Sequence, residues 1–170
     1  MTRFGAVMAT YFSTMAIGVS AFLHPAPKLI WNASASVPIG LYAVHPPRPL
    51  RVGDIAVARP PEPLASYLDR RRSLPEGVPL VKPIAALGGQ TVCRHDGLVS
   101  VGGVVLAAAQ DRDHRGRPLP VWKGCQVLGA DEVFLMNPAE PDSLDGRYFG
   151  PLPTDAIVGR ATPLWIPRAR

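Results

Sequence analysis

A chain of 170 residues and 18.2 kDa has room for one domain and an appendage, and a hydrophobic content of 47% with mean hydropathy of +0.12 is high for a fully soluble domain. Apolar runs lie between its twenty prolines and sixteen glycines. These runs exclude a low-complexity chain, while the prolines argue against long helices in most of the molecule. The net charge is +5 and the sequence pI near 9.7, but the basic clusters at Arg70, Arg71 and Arg72 and at Arg112 to Arg117, the latter broken by Asp113, are not interleaved with aromatics as a base-stacking surface would be. No nucleic-acid partner is expected, and the clusters read as solvated loops beside a membrane with anionic headgroups.

From Phe4 to Leu23 the chain runs FGAVMATYFSTMAIGVSAFL without a charge. That length suits the hydrocarbon core of a bilayer, although Ser13, Thr14 and Ser20 make it only moderately apolar. Arg3 precedes it, which favours an amino terminus left in the cytoplasm. A cleavable signal peptide ending near Val19-Ser20-Ala21 is the competing reading. Either sends the rest of the chain across the membrane. The expectation is a membrane anchor or signal segment over 1–25, retained rather than cleaved, with His24 beside the membrane and a break at Pro25 to Pro27.

A second unit is expected over 30–170, and its apolar runs are short and turn-bounded. IGLYAV (39–44), DIAVA (54–58), PLVKPIAAL (79–87), TVCR (91–94) and EVFLMN (132–137) are rich in β-branched or aromatic residues, and Gly, Pro and Asp punctuate them. They predict strands and tight turns. LVSVGGVVL (98–106) predicts a hairpin turning at Gly102-Gly103. The polar, basic stretch from Ala107 to Gly124 predicts a loop or an irregular insertion. The fold class is mainly β, a catalytic body preceded by one hydrophobic helix.

Cys93 and Cys125 are the only cysteines. They read as a thiol pair or one bridge, because sequence does not show whether their Cα atoms approach. Joined with His95 and His114 they could be drawn as a zinc set, but the spacing lacks a paired CxxC or HxxxH knuckle. No metal and no organic cofactor is expected.

The nucleophile options narrow by elimination. No serine lies in a GxSxG elbow, no glycine-rich phosphate loop or HExxH helix occurs, and the four histidines are scattered. Lysine is scarce, three against fifteen arginines, and Lys82 alone lies inside a continuous apolar run. Burial penalises the charged amine, so such a lysine loses its proton more readily and can serve a serine hydroxyl as base. A lysine snorkelling at a strand edge is the competing reading.

The segment NASASVPIGLY places Ser36 just before Val37-Pro38 at the start of a strand. Here the sequence resembles the signal peptidase family, and the S-x-P-x-G-L-Y spacing is most similar to its conjugative-transfer (TraF-type) branch. LVKPIAALGGQTV resembles the family's lysine box, SLDGRYFGPLPTDAIVGRA its last box, and RVGDIAVAR the strand after the nucleophile. The resemblance runs from about Asn32 to Trp165. It implies a serine endopeptidase with Ser36 as nucleophile and Lys82 as general base. It implies Ser34 as an oxyanion-hole hydroxyl, Ser143 as the group orienting the lysine, and Asp145 with Arg147 as a bracing pair. It further implies a signal-peptidase-like β fold in the inner membrane, with the catalytic domain facing the periplasm. The substrate implied is an exported precursor protein, a conjugative pilin subunit foremost, with head-to-tail closure of the product as one outcome. A general signal peptidase and a non-catalytic scaffold of the conjugation machinery are the alternatives. Gly146 stands where the family usually has serine, which predicts one supporting hydrogen bond fewer.

Overall fold

The computed structural model describes residues 3–22 and 27–167, so His24 and all of the expected break except Pro27 lie outside the described residues. The leading segment is one helix, α1 (Arg3–Phe22). Its length matches the expectation, and its moderate apolarity leaves it short of a span: among the described residues no helix is long and apolar enough to cross a membrane. Hydroxyl-bearing side chains explain the shortfall. Thr10, Thr14 and Ser20 donate back to the carbonyls of Ala6, Thr10 and Ile17, which satisfies the hydroxyls without making the helix apolar. Phe4, Val7, Phe12, Met15 and Ile17 stay exposed along it.

After α1 the chain is mainly β. In order come β1 (Leu29–Asn32), β2 (Gly40–His45), β3 (Ile55–Ala58), the short helix α2 (Leu64–Arg70), β4 (Leu80–Leu87), β5 (Thr91–His95), β6 (Leu98–Val101), β7 (Val104–Ala108), β8 (Gly124–Val127) and β9 (Glu132–Leu135). The one-turn helix α3 (Gly146–Phe149), β10 (Leu152–Pro153), a 3-10 turn over Thr154–Ala156 and β11 (Ile157–Trp165) complete it. Seven strands form one antiparallel sheet in the order β1-β2-β11-β3-β4-β9-β10, and four form a second, β7-β6-β5-β8.

Each predicted apolar run contains a strand, and the predicted hairpin is β6–β7. Its turn needs positive φ at both central residues, and Gly102 and Gly103 supply +57° and +83°. The polar stretch after β7 is largely irregular, with a single isolated bridge between Arg112 and Pro118. The strands not predicted, β1, β8, β10 and β11, are short, exposed or interrupted. β8 shows no buried residue, and β11 carries Gly159 and Pro163 with a register shift at each.

The core follows from the central strands. β3 and the start of β4 are buried almost throughout, as expected for strands covered on both faces. One apolar cluster around Leu68, Ile84, Leu135 and Leu152 packs α2 against the large sheet. A second, with Val37, Tyr42, Val57 and Val81, lies beneath the β1–β2 connection. A third, with Val92, Val99, Phe134 and Met136, joins the two sheets. Cys93 and Cys125 stand directly opposite each other on β5 and β8 and form a disulfide. Of the two readings, thiol pair or one bridge, the structure has the bridge; bonded cysteines offer no thiolate, and His95 Nε2 lies 3.3 Å from Cys125 Sγ. His114 lies instead on the wall of the cleft described next.

Candidate active site

A cleft of about 600 Å³ opens between the β1–β2 connection, the start of β4 and the loop before α3. Ser34, Ser36, Lys82 and Ser143 all line it. A larger open groove, about 960 Å³ between Arg48, Leu87 and Thr154, holds none of them.

Ser36 sits in the connection 33–39, whose shape Asn32 dictates. The Asn32 amide nitrogen donates to the carbonyls of Ser34 at 2.7 Å, Val37 at 2.9 Å and Pro38 at 3.2 Å. Tyr42 holds the Pro38 carbonyl from the other side at 2.6 Å. With its nitrogen committed to three carbonyls, Asn32 turns Oδ1 toward Ser34, whose hydroxyl donates to it at 3.1 Å. A hydroxyl has one proton, so across the 2.7 Å contact Ser36 is the donor and Ser34 the acceptor. The Val81 carbonyl, 3.5 Å from Ser36 Oγ, is the weaker alternative partner. Ser36 is nearly buried, at 7% exposure.

Lys82 occupies the third position of β4, opposite Ala56, and is 4% exposed. Pro83 follows it in an interior strand, where a residue without an N–H costs a ladder bond. The 53–54 turn closes over that gap, Gly53 donating to the Ile84 carbonyl and Ile84 to that of Asp54. The Lys82 amine donates to Ser143 Oγ at 2.8 Å. Burial among apolar neighbours lowers its pKa from 10.5 to about 8, opposed by the negative charges of Asp145 and Glu140 and assisted by Arg147. At pH 7 about a tenth of the amine is therefore without its proton, far more than for an exposed lysine.

Asp145 and Arg147 are wholly buried and paired through both carboxylate oxygens, Nε to Oδ1 at 2.9 Å and Nη2 to Oδ2 at 3.1 Å. Asp145 also caps α3 by accepting the Arg147 N–H. The guanidinium's remaining protons reach the carbonyls of Asn137, Glu140, Pro141 and Ala108, which winds the loop 137–145 around it. This pair shapes the loop that presents Ser143 to Lys82. All six residues singled out in the sequence thus converge on one cleft or on the loop behind it.

Three contributors were not foreseen. Asn32 shapes the serine loop, Asn137 donates to the Ser36 carbonyl at 2.7 Å, and Arg94 donates to the Arg147 carbonyl at 2.6 Å beneath α3. Gly146 has a packing reason of its own: a Cβ there would lie 2.7 Å from the Leu135 carbonyl oxygen and 2.8 Å from the Phe134 ring. The outer wall of the cleft is the loop 111–119, which Asp113 fastens to the end of α2. Asp113 accepts from the Arg115 and Arg117 amides and from both the Arg71 and Arg117 guanidiniums. Partial burial opposes its ionisation, and those hydrogen bonds, Arg117 foremost, outweigh that and hold the carboxyl well below the usual range.

A family model described as signal peptidase, peptidase S26, matches residues 1–166. The chain belongs to the signal peptidase family. The probable conjugal transfer protein TraF of Sinorhizobium fredii is 38% identical over 141 residues, 76% of this chain and 73% of that protein. The conjugal transfer protein TraF of Agrobacterium fabrum is 34% identical over 145 residues, covering 79% and 80%. A plasmid transfer protein TraF of Escherichia coli is 34% identical over 127 residues, covering 73% and 68%. Among solved structures, a signal peptidase I from Enterococcus faecalis V583 covers 68% of this chain and 97% of its own at 21% identity, with a TM-score of 0.39. The peptidase has a mainly β signal-peptidase-like fold with an amino-terminal helix, and as a peptidase its partner is a protein substrate.

Proposed function

We propose that this peptidase is a Ser–Lys endopeptidase that processes an exported precursor of a conjugation system, the pilin subunit. The observation that carries the reading is the buried Lys82 amine, held by Ser143, drawn down to about 8 and lining the same cleft as Ser36. Neutral Lys82 takes the Ser36 hydroxyl proton as Oγ attacks the scissile carbonyl carbon. The oxyanion rests on the Ser36 N–H and on the Ser34 hydroxyl, which turns from Asn32 to reach it. Lys82 then passes the proton to the departing amine, leaving an ester on Ser36. Water resolves that ester to an acid, with Lys82 again taking a proton. If the precursor's own amino terminus attacks instead, the product is a circular peptide.

Relatives named for conjugal and plasmid transfer support the substrate assignment. The signal peptidase family suggests a membrane-associated enzyme on the periplasmic side, and the exposed apolar side chains of α1 agree with membrane contact. Mass spectrometry of a candidate conjugative pilin precursor tests the reading. Incubation with the peptidase should give one shortened product, lighter by a further water if closure occurs. An unchanged precursor would overturn the substrate assignment, and processing by a Ser36→Ala variant would overturn the nucleophile.

A further inference from the structure

The serine and the lysine come from different parts of the structure, and something must fix their separation. The bonds from Asn32 and Tyr42 all fall within residues 32–42, so they set the shape of the serine loop but not its distance from β4. The lysine's frame extends the other way. Met136 donates its N–H to the Pro83 carbonyl at 3.0 Å, which attaches the end of β9 to the residue after Lys82. Asn137 follows directly. Its N–H donates to Asp145 at 3.1 Å, its carbonyl accepts from Arg147, and its Oδ1 accepts the Ala139 N–H at 3.0 Å. Those contacts settle the amide orientation and aim Nδ2 at the Ser36 carbonyl.

We infer that Asn137 is a positioning residue for this peptidase, its side-chain amide setting where Ser36 stands relative to Lys82. The inference rests on the Ser–Lys reading above. Beside the apolar cluster that holds Val37 and Val81 together, the other polar contact from Ser36 to the lysine strand among the described residues is the 3.5 Å approach of Oγ to the Val81 carbonyl. That contact belongs to the reacting atom and is given up on attack. The Asn137 bond holds the main chain of Ser36, so it persists through acylation and deacylation. Displacement of a nucleophile by about 1 Å can cost on the order of 10²-fold in rate. An aspartate at 137 keeps the shape but sets a carboxylate against the Ser36 carbonyl, and an alanine removes the tie.

The test uses the full chain in detergent micelles, as wild type, Ser36→Ala, Asn137→Asp and Asn137→Ala. Two quantities are read: the rate of acylation by a penem ester, followed by intact mass, and backbone hydrogen exchange over 33–39 and 80–87. Both Asn137 variants should acylate about 10²-fold more slowly; the pH midpoint should stay unmoved in Asn137→Ala, which leaves the charges around Lys82 as they are, and rise in Asn137→Asp, whose carboxylate favours the charged amine. Exchange should rise at least tenfold over 33–39 and stay unchanged over 80–87. A folded variant acylating within threefold of wild type, or unaltered exchange over 33–39, overturns the inference. Labelling of Ser36→Ala, or none of wild type, would refute the Ser–Lys reading instead, and the exchange result then decides the role of Asn137 alone.

Discussion

At the scale of single residues, the chemistry turns on a lysine the fold holds at a cost. A pKa drawn from 10.5 to about 8 corresponds to roughly 3 kcal/mol of penalty on the charged amine. Two outcomes follow. Acylation of Ser36 should accelerate about tenfold per pH unit below pH 8 and level off above it, as the neutral amine becomes the major form; a rate independent of pH from 6 to 9 would remove Lys82 from the role of base. Stability carries the opposite face of the same shift. Because the folded pKa lies below the unfolded one, the unfolded chain binds more protons between about pH 8 and 10, and stability rises with pH across that window. Lys82→Met should therefore be inactive yet more stable than wild type at pH 7, by up to about 3 kcal/mol, with the advantage shrinking toward pH 10. Paired denaturant titrations at the two pH values check it. Asp145 and Arg147 behave differently, since removing one partner leaves a buried charge alone. Arg147→Ala should cost about 3–5 kcal/mol and yield little folded protein.

At the scale of elements, the last box shows a packing demand that residue type alone does not reveal. At Gly146, where the sequence predicts one supporting hydrogen bond fewer, β9 passes so close that no side chain fits. Gly146→Ala should destabilise by about 1–3 kcal/mol, read as a lower thermal midpoint, with α3 and hence the Asp145 cap displaced. The second sheet is joined by the Cys93–Cys125 bridge, which spans 32 residues of sequence. A loop of that length predicts about 3–4 kcal/mol of stabilisation through the unfolded chain. Reduction should lower the thermal midpoint while leaving acylation of Ser36 unchanged at temperatures well below it, because no cysteine lines the cleft. Loss of acylation on reduction without a change in melting would show that the small sheet shapes the site.

At the scale of the whole molecule, what was legible in the sequence and what was not divide along a physical line. Runs such as DIAVA and PLVKPIAAL announce strands because burial on both faces demands apolar residues at nearly every position. GCQV and IVGRATPLW do not, since β8 is exposed and β11 is broken by Gly159 and Pro163. Ser36, Lys82, Ser143, Asp145 and Arg147 stood out through local boxes, and the fold brings them together. Asn32, Asn137 and Arg94 left no such trace, because each acts by donating to main-chain carbonyls, and Asn137 does so across 101 residues. The leading helix was legible in extent, and its hydroxyls already marked it as only moderately apolar; among the described residues no helix is long and apolar enough to cross a membrane. Peptide mapping by mass spectrometry after reaction with a penem ester tests the central claim most directly. The probe's mass should appear on the peptide bearing Ser36, and should be absent from the same peptide of Lys82→Arg, whose guanidinium stays charged. Modification at another residue, or undiminished labelling of Ser36 in Lys82→Arg, would contradict it.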